Sequence, residues 1–190
     1  LATSCYVPDD FLAEIRLAAN GDYAFVFKGS LIWAPLVAEI RDGSLTAEEI
    51  REKQAVILRD LRRDSHFRQI EPQGNGRFKV FYERLGRFTG TRKVTFVRRS
   101  AEILGMEVRT NGTVHIRGGG TNGRNPQELL DLRINPEGRL RIITDVPEVQ
   151  QNAQKVTLGM PGYPNYKIYD WTLNLTTPTP VFIGQLFGRR

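Results

Sequence analysis

The chain has 190 residues, 40% of them hydrophobic and 25% charged, a balance that excludes a disordered chain and suits one domain with a sizeable core. No apolar run approaches the roughly 18–20 residues that a membrane-spanning helix needs, and the longest candidates, such as 181–187, are strand-length. The net charge of +6 favours anionic partners without naming one, and the single cysteine, Cys5, excludes an intramolecular disulfide and a cysteine-based zinc site.

The first five residues, Leu1-Ala2-Thr3-Ser4-Cys5, place small side chains before a cysteine. This resembles the tail of a bacterial lipoprotein signal peptide, in which the cysteine is acylated after cleavage. Cys5 with Pro8, the strand at Phe11 and the segment Asn20-Gly21-Asp22-Tyr23-Ala24-Phe25 together resemble uncharacterised bacterial envelope lipoproteins. The resemblance implies a tether over residues 1–10, a single α+β domain over 11–190, lipidation at Cys5 and a place in the bacterial cell envelope. It implies no activity.

Phe11, Ala13, Ile15 and Leu17 alternate with polar positions. Asn20-Gly21-Asp22 then supplies a turn before Tyr23, Phe25 and Phe27, which predicts a β-hairpin, with a bend or bulge at Gly29 carrying the ribbon on to Trp33. Thr46-Ala47-Glu48-Glu49 is a capping box. It opens a helix with Ala47, Ile50, Gln54, Ile57, Leu58 and Leu61 on one face. Strand signals recur at Phe78, Val80 and Tyr82, at Val94 and Phe96, and over 103–108. The last run is joined to Val114 and Ile116 through Asn111-Gly112, where both turn residues are expected at positive φ. Leu130, Leu132 and Ile134 face Leu140, Ile142 and Thr144 across Asn135-Pro136-Glu137-Gly138, which predicts a third hairpin. A helical turn is expected from Pro147. Residues 158–164 read as a loop rich in Gly and Pro, and Tyr169, Trp171, Leu173 and Leu175 as the final strong strand. The expected architecture is a curved antiparallel sheet or partial barrel of hairpins packed on one amphipathic helix.

Charge is concentrated between positions 61 and 100, where eleven Lys or Arg stand against Asp64, Glu71 and Glu83. Arg77, Lys79, Arg92, Lys93, Arg98 and Arg99 are the candidate contacts for an anionic lipid, a glycan, an envelope protein or, as a weaker reading, nucleic acid. Strand alternation sends Phe78, Val80 and Tyr82 to the core and Arg77, Lys79 and Phe81 away from it. Tyr163, Tyr166, Tyr169 and Trp171 form the densest aromatic cluster and are candidates to line a glycan or lipid groove.

The run Gly118-Gly119-Gly120-Thr121-Asn122-Gly123 satisfies G-x-G-x-x-G. The short interval to the next strand signal and the neighbouring hairpins contradict a dinucleotide fold. His66 and His115 lack metal-ligand spacing, and Ser65-His66 is not a nucleophile and base pair. No catalytic residue, metal or cofactor is therefore assigned. The leading reading is a non-enzymatic envelope lipoprotein with a binding or structural role. The alternatives are a cytosolic nucleic-acid-binding module using the basic segment, and an envelope glycan-acting enzyme built on a carboxylate pair.

Overall fold

The computed structural model describes residues 5–121 and 124–188. Its first two strands, β1 (Tyr6–Leu17) and β2 (Asp22–Trp33), form an antiparallel hairpin in which Leu17 faces Tyr23 and Tyr6 faces Trp33. Gly21 takes φ +94° in the turn, and the Asn20 side chain accepts from the Asp22 amide at 2.9 Å. The expected irregularity at Gly29 lies on the other strand: Asp10 and Phe11 together face Gly29 as a bulge. Gly29 makes room for it, because a Cβ there would stand 2.5 Å from Phe11 Cβ. Tyr6 and Val7 are buried, so residues 6–10 belong to the sheet rather than to a tether. Residues 1–4 lie outside the described residues.

Helix α1 (Ala34–Arg41) follows β2 directly. Pro35 occupies the first helical turn, where a missing N–H costs nothing. The Ala34 amide donates to the Cys5 carbonyl at 3.0 Å, tying the helix to the start of β1. Helix α2 (Ala47–Leu61) carries the predicted capping box complete. Thr46 Oγ1 accepts from the Glu49 amide at 3.2 Å, and the Thr46 amide donates to Glu49 Oε2 at 2.7 Å. Only Ile57 and Leu61 of α2 are buried, so the helix meets the core through its C-terminal half.

The remaining strands are β3 (Phe67–Gly74), β4 (Arg77–Arg87), β5 (Arg92–Arg98), β6 (Ala101–Val108), β7 (Thr113–Gly118), β8 (Gly138–Thr144), β9 (Glu148–Gln151), β10 (Lys155–Met160), β11 (Tyr163–Leu173) and β12 (Val181–Gln185). They divide into a seven-stranded sheet ordered β10-β11-β8-β1-β2-β4-β3 and a five-stranded sheet ordered β5-β6-β7-β12-β9. The architecture is α+β with two sheets, neither closed into a barrel. All pairs are antiparallel except β1 with β8. The partner that buries the first sheet is the second sheet. Phe96 of β5 meets Phe25, Phe27 and Tyr82 of the first sheet at ring separations of 5.4, 4.7 and 4.8 Å, and Tyr169 of β11 meets Phe182 of β12 at 4.9 Å. Phe78, Val80 and Tyr82 face this core as their alternation predicts.

Several sequence expectations are corrected. Residues 130–144 do not form a hairpin: helix α3 (Pro126–Asp131) takes Leu130, and β8 pairs with β1 and β11. Asn125 caps α3 by accepting from the Gln127 amide at 3.0 Å. Arg133 at φ +57° ends it, with Ile134 N–H donating to Leu129 O and Arg133 N–H to Leu130 O, both at 2.8 Å. This Schellman closure overrides the period-two pattern of Leu130, Leu132 and Ile134. In the β6–β7 turn only Gly112 has positive φ, at +78°, after a turn closed by the Gly112 amide on Arg109 O at 2.9 Å. That is a turn with a glycine bulge rather than one with two left-handed residues. The segment after Pro147 is strand β9, and residues 155–173 form the β10–β11 hairpin, with Pro161 and Gly162 between Met160 and Tyr163.

Candidate functional site

The six predicted cations do not form one surface. Arg77 and Lys79 lie on β4, on the face of the first sheet turned away from the core. Arg92 and Lys93 lie on β5 of the second sheet, and Arg99 follows that strand. Arg77 pairs with Asp9 at 3.0 Å, Lys93 with Glu102 at 2.8 Å and Arg98 with Asp60 at 2.6 Å, while Lys79 stands opposite Glu71 in the β3–β4 register. The basic segment thus crosses between sheets and is partly neutralised locally. Of the six, Arg98 lines the cavity described next.

That cavity, about 450 Å³ in volume, sits where the end of α2, the loop to β3 and the end of β5 come together. Its wall includes Asp60, Arg63, Asp64, Ser65, His66, Phe67, Arg84 and Arg98. Asp60 is held well below the usual carboxylate range, chiefly by the hydrogen bond from Arg98. Asp64 Oδ1 accepts from the His66 amide at 2.9 Å and lies 2.7 Å from His66 Nδ1, which leaves Nε2 as the ring's other polar atom. Arg84 differs from its neighbours. It follows Tyr82 by two positions on β4, so alternation turns it inward, onto the cavity wall beside Val97 and Arg98 of β5. Its guanidinium sits against the hydroxyls of Tyr82 and Tyr23, and among the described residues no carboxylate pairs with it.

Behind Arg84 the Tyr82 side chain is fully buried, and its hydroxyl makes no well-formed hydrogen bond. Burial pushes this phenol up to about 12, with Asp64 adding to the shift, so it stays protonated at neutral pH. The cavity therefore offers a half-buried guanidinium, an imidazole edge and a second arginine, with the protonated Tyr82 hydroxyl sealed behind Arg84. Sequence reasoning missed Arg84 and His66. The signal for Arg84 was present in the β4 alternation, which puts a cation at an inward position.

Asp60 and Asp64 are the carboxylates that line this cavity, and each is engaged by a neighbour, Asp60 by Arg98 at 2.6 Å and Asp64 by His66 at 2.7 Å.

The predicted aromatic groove is split in two. Tyr169 and Trp171 are buried, with Tyr169 donating to Glu148 Oε2 at 2.8 Å and Trp171 Nε1 to the Asn152 carbonyl at 3.1 Å. They face the core as alternate members of β11. Tyr163 and Tyr166 lie beyond the part of β11 that pairs with β8, in edge contact at 5.7 Å. With Met160, Ile143, Ala24 and Arg16 they border an open cleft of about 380 Å³.

The glycine-rich run leaves β7, which pairs antiparallel on both sides, so no β-α-β unit surrounds it. Gly118 and Gly119 donate their amides to Pro180 and Ile103 carbonyls at 3.2 and 2.8 Å, and Asn122 and Gly123 lie outside the described residues. Among the described residues no three His, Cys, Asp or Glu side chains gather as a metal ion would require, and no helix is long and apolar enough to cross a membrane. Cys5 is free and half-buried at the head of β1.

No protein-family model matches the chain, and no curated protein matches it. Among solved structures it is similar to the NMR structure of the folded domain of LppM from Mycobacterium tuberculosis. The two share 9% identity with a TM-score of 0.40, over 100% of this chain and 94% of that one.

Proposed function

We propose that this is a non-enzymatic binding domain of the bacterial envelope that holds an anionic group of its partner in the cavity of Arg84, Arg98 and His66. The observation that carries this reading is Arg84: a half-buried guanidinium, turned toward the interior and left without a carboxylate. A desolvated charge is costly unless it is paired, so the site is completed by an anion from outside. The planar fork of arginine suits a phosphate or carboxylate in two-point contact. Acylation of Cys5 tethers the domain at a membrane, and β1 begins at the next residue, so the fold joins its anchor with no linker between Cys5 and β1.

Titration of the folded chain with inorganic phosphate, followed by amide and arginine side-chain NMR shifts, tests the cavity. Saturable shifts are expected at Asp64, His66 and Arg84, together with a loss of at least tenfold in affinity for Arg84→Gln. Equal affinity of wild type and R84Q sinks the assignment. Mass spectrometry of the natively expressed protein tests the tether: an unmodified Cys5 with residues 1–4 retained would remove it. A nucleic-acid surface draws no support from the structure, since Arg77 and Lys79 belong to one sheet and Arg92 and Lys93 to the other.

A further inference from the structure

Between positions 155 and 169 the sequence carries Lys155 and Lys167, no Asp or Glu, and the side chains of Val156, Leu158, Met160, Tyr163 and Tyr166. These residues make the β10–β11 hairpin, closed by Pro161 and Gly162. Strand β11 is supported by β8 only from Lys167, which faces Thr144, so the ribbon beyond it projects past the end of the sheet. Leu158 is 74% exposed and Tyr163 61%, and the edge position of β10 leaves Val156 at 37%. The carboxylates at the base are engaged elsewhere: Asp170 by Arg141 at 2.7 Å and Asp145 by the Ala19 amide at 2.7 Å.

The hairpin carries Met160 and Tyr163 opposite each other beside its turn and Leu158 opposite Lys167 further back, with no acidic residue between 155 and 169, a set of groups that suits an anionic bilayer interface. Hydrocarbon lies below the carbonyl and headgroup layer, and anionic charge lies at the surface. We infer that the β10–β11 tip docks onto an anionic lipid bilayer. Met160 and Tyr163 beside the turn enter the headgroup boundary, Tyr166 and Leu158 lie at headgroup level, where Lys167 meets anionic lipid, and Lys155 stands at the base of the hairpin. The surface is separate from the Arg84 cavity and requires no acyl group on Cys5. The tip lies past the Leu17 end of β1 and Cys5 precedes the Tyr6 end, roughly 40 Å away for a strand of this length. An anchored domain using both contacts on one membrane therefore lies with β1 along the bilayer rather than standing upright on it.

The test is co-sedimentation of the full chain carrying Cys5→Ser with vesicles of phosphatidylcholine, with and without about 30% phosphatidylglycerol. Wild type is expected to partition onto the anionic vesicles and to be released by salt. The double variant Leu158→Glu with Tyr163→Glu is expected to lose at least tenfold in partitioning, and Lys167→Gln about fivefold. Both are expected to keep the wild-type melting temperature and phosphate titration, since the substituted side chains are exposed. Arg84→Gln is expected to bind vesicles as wild type does. The inference is overturned by double-variant binding equal to wild type, by indifference of wild type to anionic vesicles, or by loss of vesicle binding in R84Q alone.

Discussion

Replacing Tyr82 by Phe removes one oxygen from the most enclosed point behind the candidate site. The ring keeps its neighbours, Phe25 at 5.6 Å, Phe67 at 5.0 Å and Phe96 at 4.8 Å, so no packing is lost. A buried hydroxyl without a partner costs about 1–3 kcal/mol by protein mutational measures. Proximity to Asp64 and Arg84 returns part of that, which places the expected gain for Y82F near the low end, about 1 kcal/mol. In a domain of this size such a gain raises Tm by about 2–4 °C. The phenol titrates only at about 12, so the gain is expected to be the same across neutral pH. Urea unfolding of both proteins, with melting curves beside it, measures the difference. A loss of 1 kcal/mol or more would show that the hydroxyl holds a native hydrogen bond, and would refute the view of Tyr82 and Arg84 as a site awaiting a ligand.

Arg98→Gln tests the cavity's other guanidinium through pH. Asp60 has a folded-state pKa below its unfolded value, so its pairing contributes stability above the ordinary carboxylate range and loses it as pH falls through the lower folded value. The urea midpoint of R98Q is therefore expected to lie furthest below wild type at neutral pH and to converge on it in acid; a gap independent of pH would contradict the pairing. Thr46→Ala removes the hydroxyl that closes the capping box of α2 and is expected to cost about 1 kcal/mol. Hydrogen exchange in the first turn of α2 should rise with it, and unchanged protection there would mean that the box contributes nothing.

What the sequence disclosed follows from how local each cause is. The capping box at Thr46, the turn at Asn20-Gly21 and the inward set Phe78, Val80 and Tyr82 are fixed by neighbours in the chain, and they appear as read. The hairpin expected across Pro136 fails because two end signals of α3, the Asn125 cap and the left-handed Arg133, act together. Together they outweigh the alternation of Leu130, Leu132 and Ile134. The parallel pairing of β1 with β8 joins residues more than a hundred positions apart, and no local pattern announces it. For the site, net charge was a poor guide. The basic segment was visible as a count, but function depends on which cations find carboxylates after folding. Asp9 and Asp60, distant in sequence, and Glu102 on the neighbouring strand remove Arg77, Arg98 and Lys93 from the surplus. What remains is decided by direction: Arg84 stands at an inward position of a strand whose neighbours Tyr82 and Val80 are buried, and a cation placed by alternation where an apolar residue belongs marked the cavity better than the density of charge around it.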